Sequence, residues 1–152
     1  MLTFRDLSPN DQDRVLPMVM DFYQSDAVDH LVDRAVMERA FLDAVDPAED
    51  LLHGLLIQYG GEDAGYLYLT KCYSAEVGGR CVFIEELYLK PPFRGRGLGE
   101  QILSWIEESW PGARRFRLEV TQVNQRATHL YQKMGYQFLR YNQMVLDKAE
   151  SR

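Results

Sequence analysis

The chain has 152 residues, 46% hydrophobic and 12% aromatic with 26% charged, which supports one substantial core and argues against disorder. It is short for two domains, so a single domain over residues 1–152 is expected. Seventeen Lys and Arg against 23 Asp and Glu leave a formal net charge of -6, which repels a nucleic-acid backbone and suits a small cationic ligand, although the same excess also serves solubility.

Met1-Leu2-Thr3-Phe4-Arg5-Asp6 lacks the basic, apolar and cleavage-site succession of a secretory signal, and no 18-residue apolar run follows. A cytoplasmic protein with no membrane partner is expected. Leu2 to Leu7 alternates as a short strand. Ser8-Pro9-Asn10-Asp11 then supplies helix-start chemistry, with Ser8 as N-cap, Pro9 at the first helical position and Asp11 at N3. Val15, Met18, Val19, Phe22 and Tyr23 follow at spacings of three and four, an apolar stripe suited to a sheet. The pattern from Ala27 to Val45 predicts a second helix, closed by Asp46-Pro47.

The period then changes to two. His53 to Tyr59 and Ala64 to Cys72 read as strands around the turn Gly60-Gly61-Glu62-Asp63, with Tyr66 and Tyr68 on one face and Leu67 and Leu69 on the other. Cys81 to Leu89 is a third strand, apolar except for Glu85 and Glu86, and Pro91-Pro92 ends it. Leu98 to Trp110 and Asn124 to Met134 are predicted helices, with Phe116 to Val120 a strand between them. Tyr136 to Leu139 and Gln143 to Leu146 are expected as two short final strands. The order is β-α-α-β-β-β-α-β-α-β-β, a mixed α/β domain.

Cys72 and Cys81 flank the turn Ala75-Glu76-Val77-Gly78-Gly79 and are expected on neighbouring strands as ordinary reduced residues, since two cysteines make no disulfide framework. His30, His53 and His129 are scattered and lack ligand spacing with the cysteines, so no metal is expected.

Arg94-Gly95-Arg96-Gly97-Leu98-Gly99 lies between the end of a strand and the start of a helix. Glycines there allow a tight turn and close approach of backbone to ligand, and the free amides of the helix start face an anion. Arg94 and Arg96 add charge suited to phosphate oxygens. The segment is not GxxxxGK[ST], and its GxGxG spacing is not the dinucleotide GxGxxG.

With these residues in view, the sequence resembles the GNAT family of N-acetyltransferases. Its acyl-CoA signature Q/R-x-x-G-x-G/A is matched by Arg94 to Gly99, and a second family segment by Asn124-Gln125-Arg126-Ala127-Thr128-His129-Leu130-Tyr131-Gln132-Lys133-Met134-Gly135-Tyr136. The resemblance implies acetyl-CoA as acyl donor, with its pyrophosphate on the amides of Arg94, Gly95, Arg96, Gly97, Leu98 and Gly99. It implies a pantetheine arm in a splay between the strands Cys81 to Leu89 and Arg115 to Val120, against Leu87, Tyr88 and Leu89, with Asn124 and Tyr131 also at the cofactor.

An amine must be neutral to attack a thioester, so a carboxylate within reach can accept its proton. Glu85 and Glu86 interrupt an apolar strand, and their faces are opposite unless a bulge intervenes. Glu85 is favoured as base, resembling the first residue of a carboxylate pair in diamine acetyltransferase-like members, and Glu86 as a contact for a cationic acceptor. A structural ion pair or hydrogen bond stays open for both. Tyr131 is the candidate acid for the departing thiolate, and an amide near Leu87 the donor to the thioester oxygen. Tyr23, Asp26 and Asp29 are acceptor-side candidates, with His30 beside them, and for each a structural role stays open. The reading is acetylation of a small primary amine. Acetylation of a protein N-terminus or lysine, and a non-catalytic acyl-CoA sensor, are the alternatives. A homodimer through exposed C-terminal strands is expected.

Overall fold

A computed structural model describes residues 1–149. Its five-stranded sheet runs in the order β1 (Leu2–Asp6), β2 (Leu52–Tyr59), β3 (Glu62–Ser74), β4 (Gly79–Leu89), β5 (Arg115–Leu118). Neighbours pair antiparallel except β4 and β5, which are parallel because the helix α3 (Leu98–Ser109) carries the chain back across the sheet. The helices α1 (Gln12–Tyr23) and α2 (Arg34–Val45) precede β2, and α4 (Gln125–Lys133) follows β5.

Strand alternation divides the core between the two faces of the sheet. On one, Val15, Met18, Val19 and Phe22 of α1 and Met37 and Phe41 of α2 bury against Leu56, Tyr66, Tyr68 and Tyr88. On the other, Leu98, Ile102, Leu103 and Ile106 of α3 bury against Leu55, Ile57, Leu67, Leu69, Val82 and Ile84, with Leu130 of α4 at the margin. Each fully buried side chain of this size contributes roughly 1.5–3 kcal/mol of transfer free energy. The start of α1 is tied to β1 through Asp11, whose carboxylate accepts both Arg5 Nη groups at 2.9 and 2.8 Å and the Ser8 amide at 2.8 Å. Pro9–Asp11 forms a short 3-10 turn with Ser8 as its N-cap.

Three expectations are corrected. The second helix starts at Arg34 rather than Ala27, with extended Asp33 as its N-cap. Residues 24–33 form no helix: the Ser25 hydroxyl donates to the Phe22 carbonyl and accepts from the Ala27 amide, a short polar side chain competing with helical hydrogen bonding. The two final strands are absent among the described residues. Residues 136–149 have no regular structure, and Phe138, Tyr141, Met144, Val145 and Leu146 are exposed. Strand-forming side chains need a ladder, and among the described residues nothing pairs with the outer edge of β5. Cys72 and Cys81 do lie on neighbouring strands, directly opposite each other, but as a disulfide with Cα atoms 4.9 Å apart rather than as reduced residues. No helix among the described residues is long and apolar enough to cross a membrane.

Candidate functional site

The β3–β4 ladder contains one irregularity: Tyr68 pairs with Glu86 but Leu69 pairs with Ile84, leaving Glu85 as the extra residue of a bulge. The alternation of β4 therefore resets. Val82 and Ile84 before the bulge and Leu87 and Leu89 after it belong to the α3 face, while Glu86 and Tyr88 meet the α1 face. Glu85 accepts from Thr70 Oγ1 at 3.2 Å, and Thr70 continues the face of Tyr66 and Tyr68. The bulge thus turns both carboxylates to the side covered by α1, which strict alternation forbids.

Glu86 is held by two phenols. Tyr23 donates to Oε2 at 2.6 Å and Tyr66 to Oε1 at 2.7 Å. Burial lifts the Glu86 carboxyl above its usual range against the pull of those two hydrogen bonds, and the neighbouring Glu85 charge adds to the rise. Burial, then the charge of Glu86, raises Tyr23, Tyr66 and Tyr68, so all three stay protonated. Glu85 is raised by burial as well, opposed by the Thr70 bond, and it remains open to solvent. Tyr88 of the same face donates to Asp21 Oδ2 at 3.0 Å.

Pairing of β5 with β4 runs from Cys81 opposite Arg115 to Ile84 opposite Leu118 and stops there. From Glu85 onward β4 has lost its β5 neighbour, which opens a gap between the strands. The Lys90 amide donates to Ala64 on the β3 side. Two-residue alternation of backbone groups then turns those of Leu87 and Leu89 toward the gap, and Arg94 Nε, which donates to the Leu89 carbonyl at 2.7 Å, approaches from there. At the end of β4 the chain makes a 3-10 turn at Pro91–Phe93 and enters the glycine segment. Gly95 and Gly97 have φ of 71° and 75°, left-handed backbone that a side chain would strain, and Gly97 is the N-cap of α3. The amides at the start of α3 are accordingly free to meet an anion.

The structure separates several of the residues expected at the site. Glu85, Glu86 and Tyr23 come together; Leu87, Leu89 and the glycine segment border the adjoining gap, whereas Tyr88 turns its backbone to β3 and its ring into the α1-side core. Arg94 and Arg96 face aromatic rings, Arg94 over Tyr88 at 5.3 Å and Arg96 over Tyr59 at 4.9 Å. Asn124 caps α4, accepting from the Ala127 amide at 3.2 Å. Tyr131 is half-buried with its ring 5.9 Å from that of Tyr136, and burial raises its hydroxyl. It lines a groove of about 710 Å³ with Phe83, Leu118 and Phe138. Asp26 contributes a backbone carbonyl that accepts the Thr121 hydroxyl, which joins the α1–α2 loop to the segment after β5. The Asp29 carboxylate is exposed and engaged by His30 at 2.6 Å. Tyr66, Thr70 and Asp21 were not singled out from the sequence. For Tyr66 the available signal was a tyrosine on the same strand face as Tyr68, a polar-tipped surface that needs partners when buried.

The model of the Acetyltransferase (GNAT) family matches residues 16–136, which include the bulge, the glycine segment and α4. Thialysine N-epsilon-acetyltransferase of Sus scrofa is 37% identical over 59 residues, 38% of this chain and 35% of that protein, so the matching part spans about a third of the relative. Among solved structures, a possible acetyltransferase from Clostridium difficile 630 superposes with a TM-score of 0.79 at 14% identity, covering 99% of each chain. A predicted acetyltransferase with acetyl-CoA from Clostridium acetobutylicum superposes at 0.74 and 15% identity, covering 96% of each. At such identities the likeness is one of fold.

Proposed function

Because the chain belongs to the acetyltransferase (GNAT) family, we propose that it transfers an acetyl group from acetyl-CoA to the primary amine of a small cationic molecule, by direct attack in a ternary complex. The observation that carries the reading is the bulge at Glu85, which sets two carboxylates beside the strand gap that leads to the glycine turn. In this reading the pyrophosphate lies on the turn from Arg94 to Gly99, and the pantetheine arm runs along Leu87, Tyr88 and Leu89 toward Glu85, with Asn124 beside it. The Leu87 amide donates to the thioester oxygen as charge develops there.

Glu86 has both oxygens engaged by phenols, so its part is the field that draws an ammonium group. Tyr23 fixes that carboxylate and forms one wall, with Asp26 and Asp29 at the loop that borders the entrance. Glu85 keeps solvent access and free lone pairs, which suits a base acting directly or through water. The amine nitrogen forms a bond to the carbonyl carbon, its proton passes to Glu85, and the carbon–sulfur bond breaks. Tyr131 gives its proton to the departing thiolate. The Thr121 hydroxyl donates to the Asp26 carbonyl and ties the α1–α2 loop to the segment after β5, and a border tied in this way favours a small amine over a protein segment.

The thialysine relative acts on an amine by its name, in line with this acceptor class. The reading includes a cytoplasmic homodimer, assembled through the edge of β5 and the C-terminal segment. The test is acetyl-CoA consumption over a panel of small amines, with free CoA and acetylated product both measured. Glu85→Gln and Tyr131→Phe are expected to lower kcat by roughly a hundredfold each while binding acetyl-CoA normally. Unchanged turnover in both would remove the catalytic assignments. Acetyl-CoA binding without product from any amine would leave a sensor.

A further inference from the structure

The glycine turn carries two arginines in its own sequence, yet both are turned against the sheet side. Arg94 Nε is spent on the Leu89 carbonyl at 2.7 Å, and its guanidinium covers Tyr88. Arg96 lies over Tyr59 at 4.9 Å and Phe93 at 5.9 Å. The guanidinium that reaches over the turn comes from elsewhere. A Cβ added to Gly95 would stand 3.1 Å from Arg126 Nη2, whereas a Cβ on Gly97 would meet nothing within 4 Å. The turn therefore has one side bounded by Arg126 and one side open.

Arg126 is held there by the packing of its helix. Leu130, one turn later on α4, fills the space over Gly99, where an added Cβ would stand 2.8 Å from its Cδ2. Lys133 bridges to Glu100 at 2.6 Å. Residues 126, 130 and 133 share one face of α4, and that face runs along the start of α3 from Gly95 to Glu100. The Asn124 cap fixes where this helix begins. Arg126 itself is exposed and pairs with no carboxylate among the described residues, so its charge is available.

We propose that Arg126 is a cofactor-anchoring residue: its guanidinium closes over the diphosphate of the acyl donor from α4, opposite the backbone amides of α3. The assignment rests on the acetyl-CoA reading above. A planar guanidinium matches two phosphate oxygens at once, which an ammonium group does not. It also gives α4 a reason to pack on the turn, since donor binding then links the two helices.

Arg126→Gln, Arg126→Lys and the unaltered protein are compared by calorimetric titration with acetyl-CoA and with 3′-dephospho-CoA, alongside KM and kcat and a thermal melt without ligand. Arg126→Gln is expected to raise Kd for both ligands by about tenfold, to raise KM for acetyl-CoA by the same factor with little change in kcat, and to leave the ligand-free melt in place. Lys is expected to recover part of the loss. Equal affinity in Arg126→Gln and the unaltered protein overturns the assignment and leaves the acetyl-CoA reading standing. A loss seen with acetyl-CoA and absent with 3′-dephospho-CoA overturns the diphosphate contact in favour of the 3′-phosphate. An unaltered protein that binds no acetyl-CoA sinks both readings together.

Discussion

Glu85 and Glu86 are adjacent in sequence and opposite in circumstance. Two phenolic protons engage Glu86, and one threonine hydroxyl engages the more exposed Glu85. A base has to be ionised and reachable, so its pKa sets the acid limb of the pH profile. Burial raises the Glu85 carboxyl, and a raised pKa moves that limb to higher pH than an ordinary glutamate gives. A profile of kcat/KM against pH, with a neutral-to-acid fall beginning above the usual carboxylate range, is the expected result, and Glu85→Gln should abolish the fall along with most of the rate. Glu86→Gln should leave the limb in place and raise KM for a cationic acceptor by about tenfold, because what it removes is an attracting charge. A limb that follows Glu86 instead would exchange the two roles. The sequence announced these residues by their polarity in an apolar strand. It did not announce that they share a face, because that depends on a register shift against Leu69, and pairing register is not written in either strand alone.

At the scale of elements, the junction of β1 and α1 depends on one buried carboxylate. Asp11 is lowered from 3.8 to about 2, first by the hydrogen bond from Arg5, opposed by burial and helped by the Ser8 amide. A depressed folded-state pKa contributes stability that is present above the unfolded value of 3.8 and is lost as pH falls through about 2. The shift corresponds to about 2 kcal/mol. Asp11→Asn should therefore lower Tm at neutral pH by roughly 4–8 °C, and should flatten the fall in stability between pH 4 and pH 2 measured by denaturant melts. An unchanged acid profile in the variant would mean that other carboxylates carry it. The cap was legible because Ser8-Pro9-Asn10-Asp11 is local chemistry. The late start of α2 was less so: Leu31 and Val32 continue the apolar count, and only the fold reveals that Leu31 is exposed. The glycine segment was legible for the same reason as the cap, whereas the guanidinium over it comes from α4 and no local pattern connects position 126 to position 95.

At the scale of the whole molecule, the sheet ends abruptly. Among the described residues the outer edge of β5 is unpaired, and residues 136–149 carry apolar side chains in the open, with Met144 at 95%, Leu146 at 84% and Val145 at 82% exposure. Two polar contacts, Tyr141 to Glu76 at 2.7 Å and Gln143 to Glu119 at 2.7 Å, hold this tail beside β5 without laddering it, and the groove of about 710 Å³ lies between them. An open edge and an apolar strand-forming tail on one chain are complementary to the tail and edge of a second copy, and a two-fold arrangement satisfies both at once. In the proposed homodimer, the alternation in Tyr136 to Leu139 and Gln143 to Leu146 would find its ladder on the second copy, since a strand pattern without a neighbouring edge forms no strand in the single chain. Light scattering on the 152-residue chain should give twice the chain mass, and removal of residues 138–152 should give a monomer that keeps its melt within a few degrees, because residues 138–149 contribute no buried side chain to the core. A monomeric full chain would return the tail to its own edge, and a truncated chain that still dimerises would move the interface to another face.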